Sequence, residues 1–393
     1  MDLEALVRMA AANGASDLHL EAGLAPALRV RGTLRATGDP LAAPQLLEMA
    51  RATIGETQWP RFLERRSFDL SKTIRGIRCR INILQTSRGV GFAVRLLASF
   101  QATIEKLNLH PDLKKLVAPT NGLVVISGPT GCGKSSTLAG LIQEINLAET
   151  RHIVTVESPI EYMLRPRRAY IRQREVGRDT PSFAQALLDA MREDPDVLMI
   201  GEMREPETMR LTLNASETGH LVLTTVHSSN CAEALQRIVS AFPPEIQSSV
   251  AAQLADCLVA VVSQRLRFRS DVNIRVPECE ILMGTHAVRN FIRNRDFFKI
   301  ISAIETGSEH GMWTFQRYRS WLDSRSNWYI PDQNPEPADN DTPEASPEIA
   351  PAPAPPEPKT PPHKPSKPHK PGTRIEIEPV ESEFGKILKP PGN

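Results

Sequence analysis

Gly128-Pro129-Thr130-Gly131-Cys132-Gly133-Lys134-Ser135, preceded by the apolar run Leu123-Val124-Val125-Ile126 and followed by Ser136, is the stretch that decides the fold. It satisfies G-x-x-x-x-G-K-[ST] at every fixed position, and it lies between a strand pattern and a helical pattern over 136–145, the context that gives the motif its meaning. Three glycines let the backbone curl so that successive N–H groups point at one centre. The positive end of the following helix favours negative charge at that centre. Lys134 is expected to neutralise the β- and γ-phosphates of ATP, and the Ser135 hydroxyl to coordinate Mg²⁺. Residues 128–136 are therefore the candidate ATP-binding loop.

Working outward, apolar runs rich in β-branched residues recur at 153–156, Val197–Ile200 and Leu221–Val226, separated by helical patterns. Short continuous apolar strands alternating with helices predict a mostly parallel sheet covered on both faces. Ligands of open α/β sheets lie beyond the carboxyl ends of the strands, which directs attention to 157–162, 201–204 and 227–230. The run 196–200 ends in Gly201-Glu202, an apolar strand followed by an acid. A carboxylate at that tip is placed to orient or deprotonate an attacking water, and Glu202 is the candidate.

Upstream, residues 1–98 combine a helical start, with Leu3, Leu6, Val7 and Ala10 at helical spacing, with strand-like runs at 28–30, 78–83 and 90–97. This pattern predicts a smaller α+β domain, joined through a connector near 98–103 to an α/β domain over 99–330. Asp17 and His19 are expected on an edge strand in a structural role. Downstream the composition shifts: residues 331–372 hold 15 of the 33 prolines. Such a mixture buries too little apolar surface to offset its ordering entropy, so 331–393 is expected to be a disordered tail. Within it, the apolar residues of 374–388 are expected to stay loose.

Lysine and arginine total 47 against 46 acidic residues, a formal charge of +1. No nucleic-acid partner is expected from that balance, and no basic, aromatic-studded segment for binding single strands is present. The five cysteines are scattered, without metal-ligand spacing, and fit a reducing compartment. No apolar stretch is long enough to span a bilayer, so membrane contact is expected only through partners.

Three further segments carry a family resemblance: Ala15-Ser16-Asp17-Leu18-His19-Leu20, Thr218-Gly219-His220-Leu221-Val222 with His227 downstream, and Ala287-Val288-Arg289-Asn290-Phe291-Ile292-Arg293. Together with the phosphate loop they resemble the type IV pilus retraction ATPases (PilT-like) of the secretion ATPase superfamily, over residues 1 to about 325. The resemblance implies a PAS-like amino-terminal domain, a RecA-like P-loop core and a homohexamer. It further implies ATP-driven pilus retraction (twitching motility) at the cytoplasmic side of the inner membrane, against a platform protein. Glu161, in Glu157-Ser158-Pro159-Ile160-Glu161, would take the catalytic glutamate role. His220 and His227 would form a phosphate-sensing pair, and Arg80 and Arg95 would reach the γ-phosphate as arginine fingers. The Ala287–Arg293 stretch would be a coupling element. One position departs: relatives commonly carry Asp where Ser158 stands, but Glu161 and Glu202 remain and activity is expected to survive. An accessory pilus or type II/IV secretion ATPase is the alternative within this chemistry. A nucleic-acid translocase and a non-hydrolysing scaffold are the alternatives outside it.

Overall fold

The computed structural model describes residues 2–30, 32–97 and 102–330. The proline-rich segment, the apolar stretch at 374–388 and much of the expected connector lie outside the described residues.

The chain opens with α1 (Leu3–Ala12), capped by Asp2, whose carboxylate accepts from the Ala5 N–H at 2.8 Å. Leu3, Leu6, Val7 and Ala10 form its buried face, as their spacing predicts. There follow β1 (Ala15–Leu20), β2 (Ala27–Val30), β3 (Thr33–Ala36), α2 (Ala43–Ile54), α3 (Trp59–Arg65), β4 (Ser67–Ile74), β5 (Ile77–Thr86) and β6 (Gly89–Leu97). The strands make one antiparallel sheet in the order β3-β2-β1-β6-β5-β4. Leu6, Leu18, Leu46, Phe62, Ile81 and Phe92 are the centre of its core. The edge-strand expectation for Asp17 and His19 fails here. β1 lies between β2 and β6, and the edge is taken by β3, a fully exposed four-residue strand without apolar alternation that pairs with β2.

The second sheet begins at β7 (Gly122–Ser127), which runs through the phosphate loop into α4 (Lys134–Ala148). The chain continues through β8 (His152–Glu157), β9 (Tyr170–Glu175), α5 (Phe183–Ala190), β10 (Val197–Ile200), α6 (Pro206–Glu217) and β11 (Leu221–Val226). Then come α7 (Cys231–Ser240), α8 (Gln247–Cys257), β12 (Leu258–Arg269), β13 (Ile274–Met283), α9 (His286–Arg293), α10 (Lys299–Thr306) and α11 (Phe315–Ser324). The order is β13-β12-β7-β11-β10-β8-β9, parallel throughout except for the β12–β13 hairpin. Every residue of β7 is buried, with Leu123 and Val125 in the core on one face and Val124 and Ile126 in the core on the other. At about 1.5–3 kcal/mol for each fully buried aliphatic side chain, such a strand has nowhere to sit but the middle of a layered sandwich. The parallel arrangement brings the carboxyl ends of β7, β8, β10 and β11 to one edge of the sheet.

Candidate functional site: a phosphate loop facing carboxylates

At that edge the chain leaves β7 with Gly128 at φ 147°, where a Cβ would lie 2.3 Å from the Gln264 carbonyl oxygen. Only glycine fits so close a backbone approach. Gln264, buried on β12, brackets the loop. Its Nε2 donates to the Cys132 carbonyl at 2.6 Å, and its Oε1 accepts from the Thr137 hydroxyl at 2.7 Å. Lys134 points back into the loop, donating to the carbonyls of Gly128 (2.9 Å) and Pro129 (3.0 Å). Burial lowers the basicity of this ammonium, while Cys132, Glu202 and Glu161 oppose that effect. Ser135 is exposed at the first turn of α4.

Glu202 stands just past β10, with Arg204 Nε at 2.8 Å and His227 Nε2, just past β11, at 4.0 Å. The turn carrying Glu202 is tied to β11: the Met203 N–H donates to the Thr225 carbonyl at 3.0 Å, and the Thr225 hydroxyl to the Gly201 carbonyl at 2.7 Å. Burial, together with the charge of Lys134, holds His227 below the ordinary histidine range, so its imidazole is neutral at pH 7.

Glu161 is held through its neighbours. The Ile160 N–H donates to Glu175 Oε2 (3.1 Å), while Arg78 reaches across from β5 to bind the same carboxylate (2.9 Å) and the Ile160 carbonyl (3.2 Å). On the other side the Tyr162 hydroxyl pairs with Ser136 (2.7 Å), and its carbonyl accepts from Gln173 (2.9 Å). Beneath lies Glu157, bonded to Thr155 and Gln173; burial pushes its carboxyl up to about 7, and the nearby Glu161 charge adds to the rise. From the first turn of α4 a cleft of about 490 Å³ continues past Glu161, between apolar walls that include Leu97, Leu107 and Leu266.

Lys134, Glu161, Glu202 and His227 thus converge on one place, whereas Arg80, Arg95, His220 and the Ala287–Arg293 stretch do not line the cleft. Arg80 and Arg95 are cross-strand neighbours on β5 and β6, in a row continued by Asp17 and Arg29. Arg95 is paired with Asp17 at 2.9 Å, and neither arginine lines the cleft. His220 precedes β11, at the strand's amino end and so at the opposite edge of the sheet from the loop; its Nδ1 lies 3.0 Å from the Ala215 carbonyl oxygen. Ala287–Arg293 falls on α9, where Val288 and Ile292 are buried. Its Arg289 donates to the carbonyls of Gly284, Asp256 and Leu258, fastening α9 to the end of α8. Sequence reading missed Arg78, Glu157, Glu175 and Gln264. Arg78 and Glu175 sit near strand ends and meet across 97 residues of chain, Glu157 lay in the flagged stretch 157–162 without a role, and Gln264 carries no local motif.

Mg²⁺ suits an all-oxygen donor set that keeps several waters. The exposed Ser135 hydroxyl, next in the chain to a Lys134 that feels the charges of Glu161 and Glu202, fits that chemistry. Among the described residues there is no cluster of three or more His, Cys, Asp or Glu that would hold a metal unaided.

The family described as Type II/IV secretion system protein matches residues 1–309. The chain is 40% identical over 316 residues to the type IV pilus retraction ATPase PilT of Pseudomonas aeruginosa, covering 80% of this chain and 92% of that one. It is 38% identical over 294 residues to a twitching motility protein of Neisseria gonorrhoeae, covering 74% and 79%. Among solved structures, the pilus retraction motor PilT with bound ADP superposes with a TM-score of 0.73 at 34% identity, covering 81% of this chain and 96% of that one.

Proposed function

Because the chain belongs to the type II/IV secretion system protein family, we propose that it is an ATP-hydrolysing motor that retracts a type IV pilus. The observation that carries this reading is the Lys134 ammonium inside a glycine-bent loop, with Glu161 and Glu202 at neighbouring strand ends. The loop N–H groups and Lys134 bind the triphosphate, and Glu161 and Glu202 align and deprotonate the attacking water. The Ser135 hydroxyl would hold Mg²⁺, which would supply neutralisation of the triphosphate charge. Neutral His227, beside Glu202, is suited to sensing the γ-phosphate. The base occupies the apolar cleft.

Residues 1–98 and 99–330 act as two domains of a homohexamer in this reading. Arg80 and Arg95 serve a neighbouring copy, since neither lines this chain's own cleft. His220 couples the sheet's far edge to adjoining segments, and α9 transmits motion to a platform protein of the inner membrane. No described helix is long and apolar enough to cross a membrane.

The test is steady-state phosphate release by purified Glu161→Gln and Glu202→Gln variants. Each is expected to lower kcat by about 10²–10⁴-fold, the usual worth of a positioned acid or base, with ATP affinity kept within about threefold. Unchanged kcat in both variants would remove the catalytic assignment.

A further inference from the structure

The described chain ends beside the nucleotide cleft, beyond the residues that the family match covers. Tyr329 lines that cleft together with Gly133, Ser136 and Thr137 at the start of α4. Its backbone is gripped on both sides by one side chain: Asn108 Nδ2 donates to the Tyr329 carbonyl, and the Tyr329 N–H donates to Asn108 Oδ1, each at 2.9 Å. The amide imitates a strand partner, satisfying both backbone groups of a residue outside any sheet. Asn108 is itself buried and sits at φ 57°, a left-handed conformation that asparagine tolerates better than most residues. The preceding residue is fixed as well. The Trp328 ring lies against two guanidinium groups, Arg269 at 4.7 Å and Arg325 at 5.0 Å. Two consecutive anchored aromatics fix this segment, with Tyr329 at the cleft wall.

We propose that Tyr329 is a base-contacting residue of the nucleotide site, positioned there by Asn108. The inference rests on the nucleotide reading above and adds the group that reads the base. Every nucleobase has a π-face, and an aromatic side chain among the leucines of the cleft supplies a stacking partner; Tyr162, the other aromatic of the lining, has its hydroxyl tied to Ser136. The phosphate loop, by contrast, cannot distinguish a nucleotide from a bare polyphosphate.

The experiment compares two probes on the full-length chain by calorimetry in the presence of magnesium: ATP, and inorganic tripolyphosphate, which engages the loop alone. Tyr329→Ala is expected to weaken ATP binding about tenfold, in line with the loss of one base–aromatic stack, and to leave tripolyphosphate binding unchanged. Tyr329→Phe, which keeps the ring, should retain ATP affinity. Asn108→Gly, which accepts the positive φ while deleting the amide, should reproduce the selective loss. Unchanged ATP affinity in Tyr329→Ala would overturn the proposal. Equal loss of both probes would overturn it too, since that would mean damage to the loop and not the loss of a base contact. An unaltered chain that binds neither probe would instead defeat the nucleotide reading beneath it.

Discussion

Lys134→Ala is expected to weaken ATP binding by between about ten- and a hundredfold and to abolish phosphate release. The ammonium already sits within the loop, bonded to two of its carbonyls, so it meets the triphosphate without crossing solvent. A hydrogen bond to a charged group is worth about 1.5–3 kcal/mol, which sets the expected loss in binding. Loss of hydrolysis goes further, because negative charge shifts toward the leaving oxygen in the transition state and the lysine is its nearest compensation. Calorimetry and steady-state turnover on the same preparation separate the two effects. In Glu202→Gln binding should persist while turnover falls. A Lys134→Ala variant that bound ATP as the unaltered chain does would show that the loop is not the phosphate site.

Arg78→Ala carries the second large effect. The Arg78–Glu175 pair is almost fully buried, and it also fixes both backbone groups of Ile160, next to Glu161. Burial lowers the basicity of the guanidinium and the Glu175 charge opposes the shift, so the two groups belong together energetically. Removing the cation strands a buried carboxylate, at a cost of about 3–5 kcal/mol. The midpoint of thermal unfolding should fall accordingly, and kcat should drop because Glu161 loses its brace. Arg78→Lys retains the charge but not the planar fork that spans Glu175 and Ile160 at once. It is expected to fold with a smaller loss of stability yet still turn over slowly. Normal kcat in Arg78→Lys would mean that the amino-terminal sheet does not govern the position of Glu161.

How much of this was legible in the sequence depended on how local the signal was. The phosphate loop, β7 and the apolar face of α1 are written in consecutive residues, and their positions follow from hydrophobic period and glycine chemistry. The Glu202 position could be read for the same reason, as an acid directly after an apolar strand. The residues that complete the site were not legible, because their meaning comes from pairing across the fold. Gln264 meets Cys132 across 132 residues of chain and Arg78 meets Glu175 across 97, while Asn108 meets Tyr329 across 221. In each case a single polar side chain is buried against a distant backbone or charge, and no periodicity announces it. The edge-strand reading of Asp17 and His19 failed for a related reason. β1 is flanked by β2 on one side and on the other by β6, from the far end of the same domain, a pairing that no local pattern announces. Arg80 and Arg95 were found as strand arginines, but their place side by side, with Arg95 held by Asp17, emerges only from the strand register.

The most direct measurement is phosphate release by the purified, unaltered chain as Mg²⁺-ATP is titrated in. The motor assignment predicts saturable release that stops when magnesium is chelated. A chain that releases no phosphate at any ATP concentration, in an assembly whose fold and size are intact, would contradict it.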